Sequence, residues 1–294
     1  MRTLAIFGGG RLGQSWGRLA QQSGRYRVVA VYCRTEAAAL RAVDFVGAGQ
    51  AAVLSAAATL AEVNLLSVPD DALAGLAQQL AAVSPTPGAL AFHASGVLDR
   101  AVLQPLADTG VACGSLHPAF SFADPARAVA GFAGTLCALE GDATAEAALS
   151  AFAAAIGGRP FTLKPGGKPA YHASLAIASN FLVTLCGFAQ NVAAQAGIEG
   201  EAARELLGGL MRQSLDNALA LGAAAALTGP IARGDVATVE RHLNVLGAPA
   251  ERMLYRALGR ATLDLAARGA QGERWSRLSR VLADPPEATT PAHD

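Results

Sequence analysis

The first half of the chain alternates short apolar runs with amphipathic stretches. The apolar runs are Arg2–Phe7, Arg27–Tyr32, Val53–Leu54, Val63–Ser67, Ala89–His93 and Ala112–Leu116, with a further one at Gly134–Leu139. Stretches of helical period lie between them, among them Arg11–Ser23, Asp70–Val83 and Val97–Ala107. This alternation predicts βαβ units and a doubly wound, mostly parallel sheet. The pattern changes near residue 160, where Lys164-Pro-Gly-Gly-Lys-Pro169 breaks the chain. Long helical patterns follow at Ala170–Ala196, Glu201–Leu221, Gly234–Val245 and Pro249–Ala267. The reading is an α/β domain over 1–162, an all-helical domain over 163–283, and a tail, 284–294, rich in Pro, Thr and Glu and expected to be disordered.

The first turn carries chemistry. Gly8-Gly9-Gly10-Arg11-Leu12-Gly13 satisfies G-x-G-x-x-G between an apolar strand and a helix. In that setting Gly8 makes the tight turn, Gly10 lets backbone approach a pyrophosphate, and Gly13 lets helix and strand pack closely. The helix start, at Arg11 and Leu12, faces the phosphates with free N–H groups and a positive dipole end. This is the dinucleotide signature of a Rossmann domain. The second apolar run ends Val31-Tyr32-Cys33-Arg34-Thr35, without the acid that would bind an NAD ribose. Arg34 can instead hold a 2′-phosphate bidentately and Thr35 can donate to it. The expected cofactor is NADP rather than NAD.

Ligands of open α/β sheets sit beyond the carboxyl ends of the strands. Those ends here read Ser67-Val68-Pro69-Asp70-Asp71, His93-Ala94-Ser95-Gly96 and Leu116-His117-Pro118. His117 is the candidate proton handler, because imidazole titrates near working pH. Ser95 could position the same oxygen, whereas His93 directly ends an apolar strand and reads as structural. Only two of the 23 basic residues are lysines, Lys164 and Lys168, both at the break. A helix beginning at Lys168 would put Lys168, His172 and Ser179 on one face.

Composition narrows the class. The chain has 294 residues, 52% hydrophobic and 16% charged, with 23 basic and 23 acidic side chains. Such a chain can bury a core in each of two domains, and it has no electrostatic footprint for nucleic acid or an anionic membrane. The Arg-rich stretch from Arg252 to Arg280 is broken by acids and reads as a solvated helix face. Four scattered cysteines without a Cys-x-x-Cys fit a reducing, cytoplasmic setting and no metal site. Ala170 to Ile198 has no formally charged side chain, long enough to span a bilayer. Its recurrent Ser, Thr, Asn and Gln instead predict a helix buried on most sides by its own domain or by a second subunit. The expected assembly is a homodimer through the helical domain.

Together these residues carry a resemblance over nearly the whole chain. Gly8–Gly13, Val68-Pro69-Asp70-Asp71, His93–Gly96, Gly114-Ser-Leu-His-Pro118, Tyr171-His172…Ser179-Asn180-Phe181-Leu182 and Leu227–Asp235 occur in order. The chain resembles the uncharacterised Rossmann-like oxidoreductases with a helical C-terminal domain of unknown function, family 2520. The first half is also similar to pyrroline-5-carboxylate reductase, prephenate dehydrogenase and the 3-hydroxyacid dehydrogenases. The prephenate dehydrogenase resemblance implies that His117, aided by Ser95, touches the substrate hydroxyl, although Ala119 and Phe120 depart from its motif. The 3-hydroxyacid dehydrogenase resemblance maps a catalytic Lys onto Lys168, but His172 stands where an Asn would be.

The sequence therefore supports an NADP-dependent oxidoreductase acting on a small hydroxy, keto or imino acid. His117 would move the proton, and Ser95, Lys168 and His172 would orient the substrate, Lys168 through its carboxylate. NADP would rest on Gly8, Gly10, Arg11, Leu12, Gly13, Arg34 and Thr35, flanked by Val68 and Pro69. The alternative is a non-catalytic NADP(H) sensor, which would need the glycine loop and Arg34 but no cluster of proton-transfer groups.

Overall fold

A computed structural model describes residues 1–83, 86, 88–164, 166–266 and 272–283. They divide into two compact units, Met1–Asn180 and Phe181–Asp294. The helix that opens at Lys168 thus packs with the α/β unit, downstream of the change in pattern near residue 160. The tail at 284–294 lies outside the described residues.

The first unit is built on an eight-stranded sheet: β1 (Arg2–Phe7), β2 (Tyr26–Tyr32), β3 (Gln50–Ala51), β4 (Val63–Leu66), β5 (Leu90–His93), β6 (Ala112–Pro118), β7 (Leu136–Gly141) and β8 (Arg159–Thr162). Its order is β3-β2-β1-β4-β5-β6-β7-β8. The first six strands are parallel, β7 runs antiparallel to β6, and β8 is parallel to β7. Helices α1 (Arg11–Gln22), α2 (Glu36–Val46), α3 (Leu54–Thr59), α4 (Asp70–Ala82), α5 (Gln104–Ala107), α6 (Pro125–Gly131) and α7 (Ala143–Ala155) cover it.

Alternation along the strands separates two cores. Leu4, Ile6, Leu90, Phe92 and Leu116 face Trp16 of α1 and Phe152 of α7. Ala5, Phe7, Ala91 and Cys113 face Leu73, Leu76 and Leu80 of α4 and Leu106 of α5. Trp16 is fully buried, stacked on Phe92 and edge-on to Phe132 and Phe152. Burial on both faces explains why the central strands read as continuous apolar runs.

Some expected elements move. The third strand is Gln50–Ala51 rather than Val53–Leu54: Val53 is the N-cap of α3, and the alanines after it continue that helix. Val97–Ala107 is a 3₁₀ turn, Arg100–Leu103, leading into α5. The expected single helix at Ala170–Ala196 is α8 (Lys168–Ala176), a π-helical turn (Ile177–Phe181) and α9 (Leu182–Ala194). Strand β8 was not foreseen, because Arg159-Pro-Phe-Thr162 lacks an apolar run.

In the second unit α10 (Gly200–Leu221) is followed by two short helices, α11 (Ala223–Ala226) and α12 (Pro230–Arg233), and then by α13 (Val236–Val245), α14 (Pro249–Ala266) and α15 (Glu273–Leu282). Its small core joins Val239, Leu243, Leu263, Leu278 and Leu282. Part of the Arg-rich stretch has a task, since Arg260 donates to the Leu282 carbonyl and Arg252 to those of Leu246 and Gly247. No residue of α9 is buried, and only Ala203 of α10 is. Lys168–Ala194 is long and apolar enough to cross a membrane by length and composition. Its first turn, however, is held in the sheet by a buried lysine.

Candidate functional site at the carboxyl edge of the sheet

The turn after β1 is held by its neighbours. Gly8 N–H donates to the Tyr32 carbonyl at 2.9 Å, and Ser67 Oγ donates to the Gly8 carbonyl at 2.7 Å. Gly8 has φ +110°, a conformation that side chains resist, and a Cβ on Gly13 would lie 2.2 Å from the Gly8 carbonyl oxygen. A Cβ on Gly10 would meet nothing within 4 Å. No side chain caps α1, so its first amides, at Arg11, Leu12 and Gly13, have no side-chain acceptor. An open cradle below uncapped amides fits a dinucleotide pyrophosphate. Cys33 adds a feature that the sequence did not reveal: its Sγ accepts the Gly9 N–H at 3.1 Å.

Around the turn, Arg34 lies two residues past β2, exposed, and makes no hydrogen bond or ion pair among the described residues. Thr35 caps α2 by accepting from Ala38 N–H, which leaves its own hydroxyl proton available. Val68 lies against Gly8, and Pro69 is the N-cap of α4.

At the same edge the ladder lines up His93, Ser115 and Glu140 on β5, β6 and β7. Lys168, at the start of α8, reaches into this row and is only 5% exposed. Its Nζ donates to Ser115 Oγ at 2.6 Å, to the Ser95 carbonyl at 3.3 Å and to the Leu98 carbonyl, and Glu140 Oε2 lies 3.7 Å away. Burial lowers the lysine pKa, and Glu140 opposes that shift. An ammonium has three protons, and all three are committed here. Lys168 is therefore an anchor for α8, a different task from the expected grip on a substrate carboxylate.

Two other residues also have structural tasks. Ser95 Oγ donates to Asp70 Oδ2 at 2.9 Å and accepts from Val97 and Leu98 N–H, so its hydroxyl holds the loop. His93 accepts Ser95 N–H at Nδ1 and meets the Asp99 carbonyl at Nε2, both at 3.1 Å.

One pleat beyond Ser115, His117 meets the helix. Tyr171 and His172 lie three and four residues after Lys168, so the anchor presents both to the sheet. Tyr171 was missed in the sequence, because its pairing depends on how α8 lies on β6. Its hydroxyl is 3.1 Å from His117 Nδ1 and 3.4 Å from the His117 carbonyl. The His117 and His172 rings stand edge to face, 5.8 Å apart. A Cβ on Gly96 would lie 2.3 Å from His172 Cδ2 and 2.8 Å from His117 Nε2, so only glycine fits between them and the loop. Ser179 is exposed within the π turn, which breaks the helical register that placed it on this face.

Burial, then His172 and Lys168, push His117 down to about 4, and burial pushes Tyr171 up to about 12. The imidazole is thus neutral near pH 7 instead of titrating there as expected. The phenol keeps its proton and can donate it to the His117 carbonyl, while the direction of the contact at Nδ1 follows the imidazole tautomer.

Residues 2–118 match the Rossmann-like domain family, and residues 135–262 match the domain of unknown function DUF2520. The chain is a Rossmann-like domain followed by a DUF2520 domain. The DUF2520 match begins at Thr135, so β7, α7 and β8, with Glu140, belong to that domain together with Lys168, Tyr171 and His172. No curated protein matches the chain. Among solved structures, a protein from Bacteroides fragilis provisionally described as an NADP oxidoreductase is 23% identical, over 90% of this chain and 98% of its own, with a TM-score of 0.76. A Streptomyces aurantiacus imine reductase is 20% identical over 96% of this chain and 100% of its own, with a TM-score of 0.60. A pyrroline-5-carboxylate reductase from Coxiella burnetii is 14% identical over 92% and 99%, with a TM-score of 0.57. At these identities the likeness is one of fold.

The two depressed histidines predict an acid-labile fold. His93 and His117 bind protons only near pH 4 when folded, against an ordinary value of 6.5. The unfolded chain therefore takes up protons first as pH falls, and stability present above pH 6.5 is lost toward pH 4. Urea unfolding across that range should show the decline, with a shallower slope in His117→Asn. A flat profile would contradict it.

Proposed function

We propose that this protein is an NADP-dependent oxidoreductase that transfers a hydride to or from a small polar substrate, at a carbon bonded to oxygen or nitrogen. One observation carries the reading: the glycine cradle and the His117–Tyr171–His172 cluster occupy the same carboxyl edge of the parallel strands, where open α/β sheets bind their ligands. The fold likeness to oxidoreductases supports it.

In this reading Gly8, Gly10, Arg11, Leu12 and Gly13 hold the pyrophosphate, flanked by Val68 and Pro69, and Arg34 with Thr35 holds a 2′-phosphate. The bound dinucleotide supplies or accepts the hydride. His117 donates the Nε2 proton to the substrate heteroatom, and Tyr171 re-supplies Nδ1. His172 packs beside His117 against Gly96. Lys168 and Ser95 hold the helix and the loop on which these groups sit.

The second unit serves as a homodimer interface in this reading. Leu206, Leu210, Leu215 and Leu219 are exposed along α10, and Val183 is exposed on α9. Apolar surface of that extent marks association sites. Light scattering at micromolar protein should give the mass of two chains, and a monomer would refute this part.

NADPH should bind more tightly than NADH. Calorimetric titration of both should show the preference collapse in Arg34→Ala, by about 1.5–3 kcal/mol for a lost charge-assisted contact. Equal affinities in the native protein would remove the basis for NADP. His117→Asn should lower turnover by about 10²–10⁴-fold with NADPH affinity unchanged. Normal turnover in that variant would take proton transfer away from His117.

A further inference from the structure

We infer that Cys33 and Gln14 are positioning residues for the cofactor: together they pin the Gly9 peptide, so that the pyrophosphate cradle stands formed before the dinucleotide arrives. The inference rests on the dinucleotide part of the oxidoreductase reading and deepens it.

Three consecutive glycines, Gly8 to Gly10, make a segment of high conformational freedom. Left free, such a segment weakens binding, because only the fraction of molecules in the competent form takes the ligand. Here the freedom is removed one peptide at a time. Gly8 is tied to its strand neighbours, its N–H to the Tyr32 carbonyl at 2.9 Å and its carbonyl to Ser67 Oγ at 2.7 Å. Both backbone groups of Gly9 are taken by side chains. Its N–H donates to Cys33 Sγ at 3.1 Å, and its carbonyl accepts from Gln14 Nε2 at 2.7 Å. The two clamps come from different elements, Cys33 from the connection between β2 and α2 and Gln14 from the first turn of α1. Both side chains are half-buried.

Packing supports the clamp. A Cβ on Gly9 would lie 2.7 Å from Ala42 Cβ and 2.8 Å from Cys33 Sγ, so α2 and the thiol press on bare backbone. A Cβ on Gly10 would meet nothing within 4 Å. Gly9 is thus the packed residue of the loop and Gly10 the open one. With Gly8 and Gly9 committed, the uncapped amides at the start of α1 are left for the phosphates.

The clamp also ties two parts of the cofactor site together. Cys33 directly precedes Arg34 and Thr35, the proposed contacts for a 2′-phosphate. The end of the second strand is where an acid would reach a ribose. The thiol there turns to the glycine loop instead, and so holds the Arg34 segment at a set spacing from the cradle.

The test measures NADPH binding by calorimetry in the full chain. Cys33→Val and Gln14→Leu keep the bulk of each side chain and remove its hydrogen bond. Each should raise Kd by about threefold or more, the scale of one lost hydrogen bond, and the double variant by about tenfold or more. Cys33→Ser, which restores an acceptor, should recover most of the loss. Hydrogen exchange read by NMR on the native, cofactor-free protein should find the Gly9 amide protected, and this measurement stands even where a variant fails to fold. A Gly9 amide that exchanges as freely as an exposed loop would overturn the inference. So would native Kd in both single variants, even with a lowered Tm, or a Cys33→Ser variant as weak as Cys33→Val. Each of those results leaves the dinucleotide reading standing, whereas a native chain that does not bind NADPH would overturn both.

Discussion

A buried ammonium is affordable in a protein only where every proton has an acceptor and the charge has a partner. Lys168 meets that condition with Ser95, Leu98, Ser115 and Glu140, which belong to the loop after β5 and to the next two strands of the sheet. The rest of the edge depends on this constraint. It fixes where α8 begins and which face the helix turns to β6. Helical spacing then brings Tyr171 and His172 to His117 without further instruction. Removing the amine would strand two carbonyls, a hydroxyl and a carboxylate at once.

The same burial sets the chemistry of the cluster. Within it His117 is held neutral and Tyr171 protonated. The pair therefore offers neutral hydrogen-bonding groups, in place of a histidine that switches charge near neutral pH. In the proposed reading, a neutral N–H there suits developing negative charge on a nitrogen or oxygen as hydride arrives at the neighbouring carbon. Gly96 lets the loop pack directly against the two imidazoles, since any side chain there would collide with both.

Much of the fold was legible in the sequence because its signals are local. The glycines at 8 and 13 are demanded by a turn and a close helix–strand approach, and Gly10 completes the spacing of the motif. The burial of β1, β4 and β5 on both faces leaves plain apolar runs. His117 was legible as a polar residue at a strand end. Lys168 stood out by its rarity, yet its role did not, because its acceptors lie about 53 to 73 residues away in the chain and only the folded sheet assembles them. The Ser95 hydroxyl looked available for the same reason, until Asp70 appeared beside it. The third strand, two residues long at the sheet edge, gave no periodicity to read, and the π turn after α8 has no sequence signature that distinguishes it from the helix around it.

The central claim is that a locked lysine builds a hydride-transfer site at this edge. An experimental structure of the NADP⁺ complex tests it most directly. The account predicts the pyrophosphate over Gly10, the nicotinamide beside Gly96 and His117 Nε2, and Lys168 still donating to Ser95, Leu98 and Ser115. A nicotinamide placed away from His117, or Lys168 swung out to touch the ligand, would contradict it.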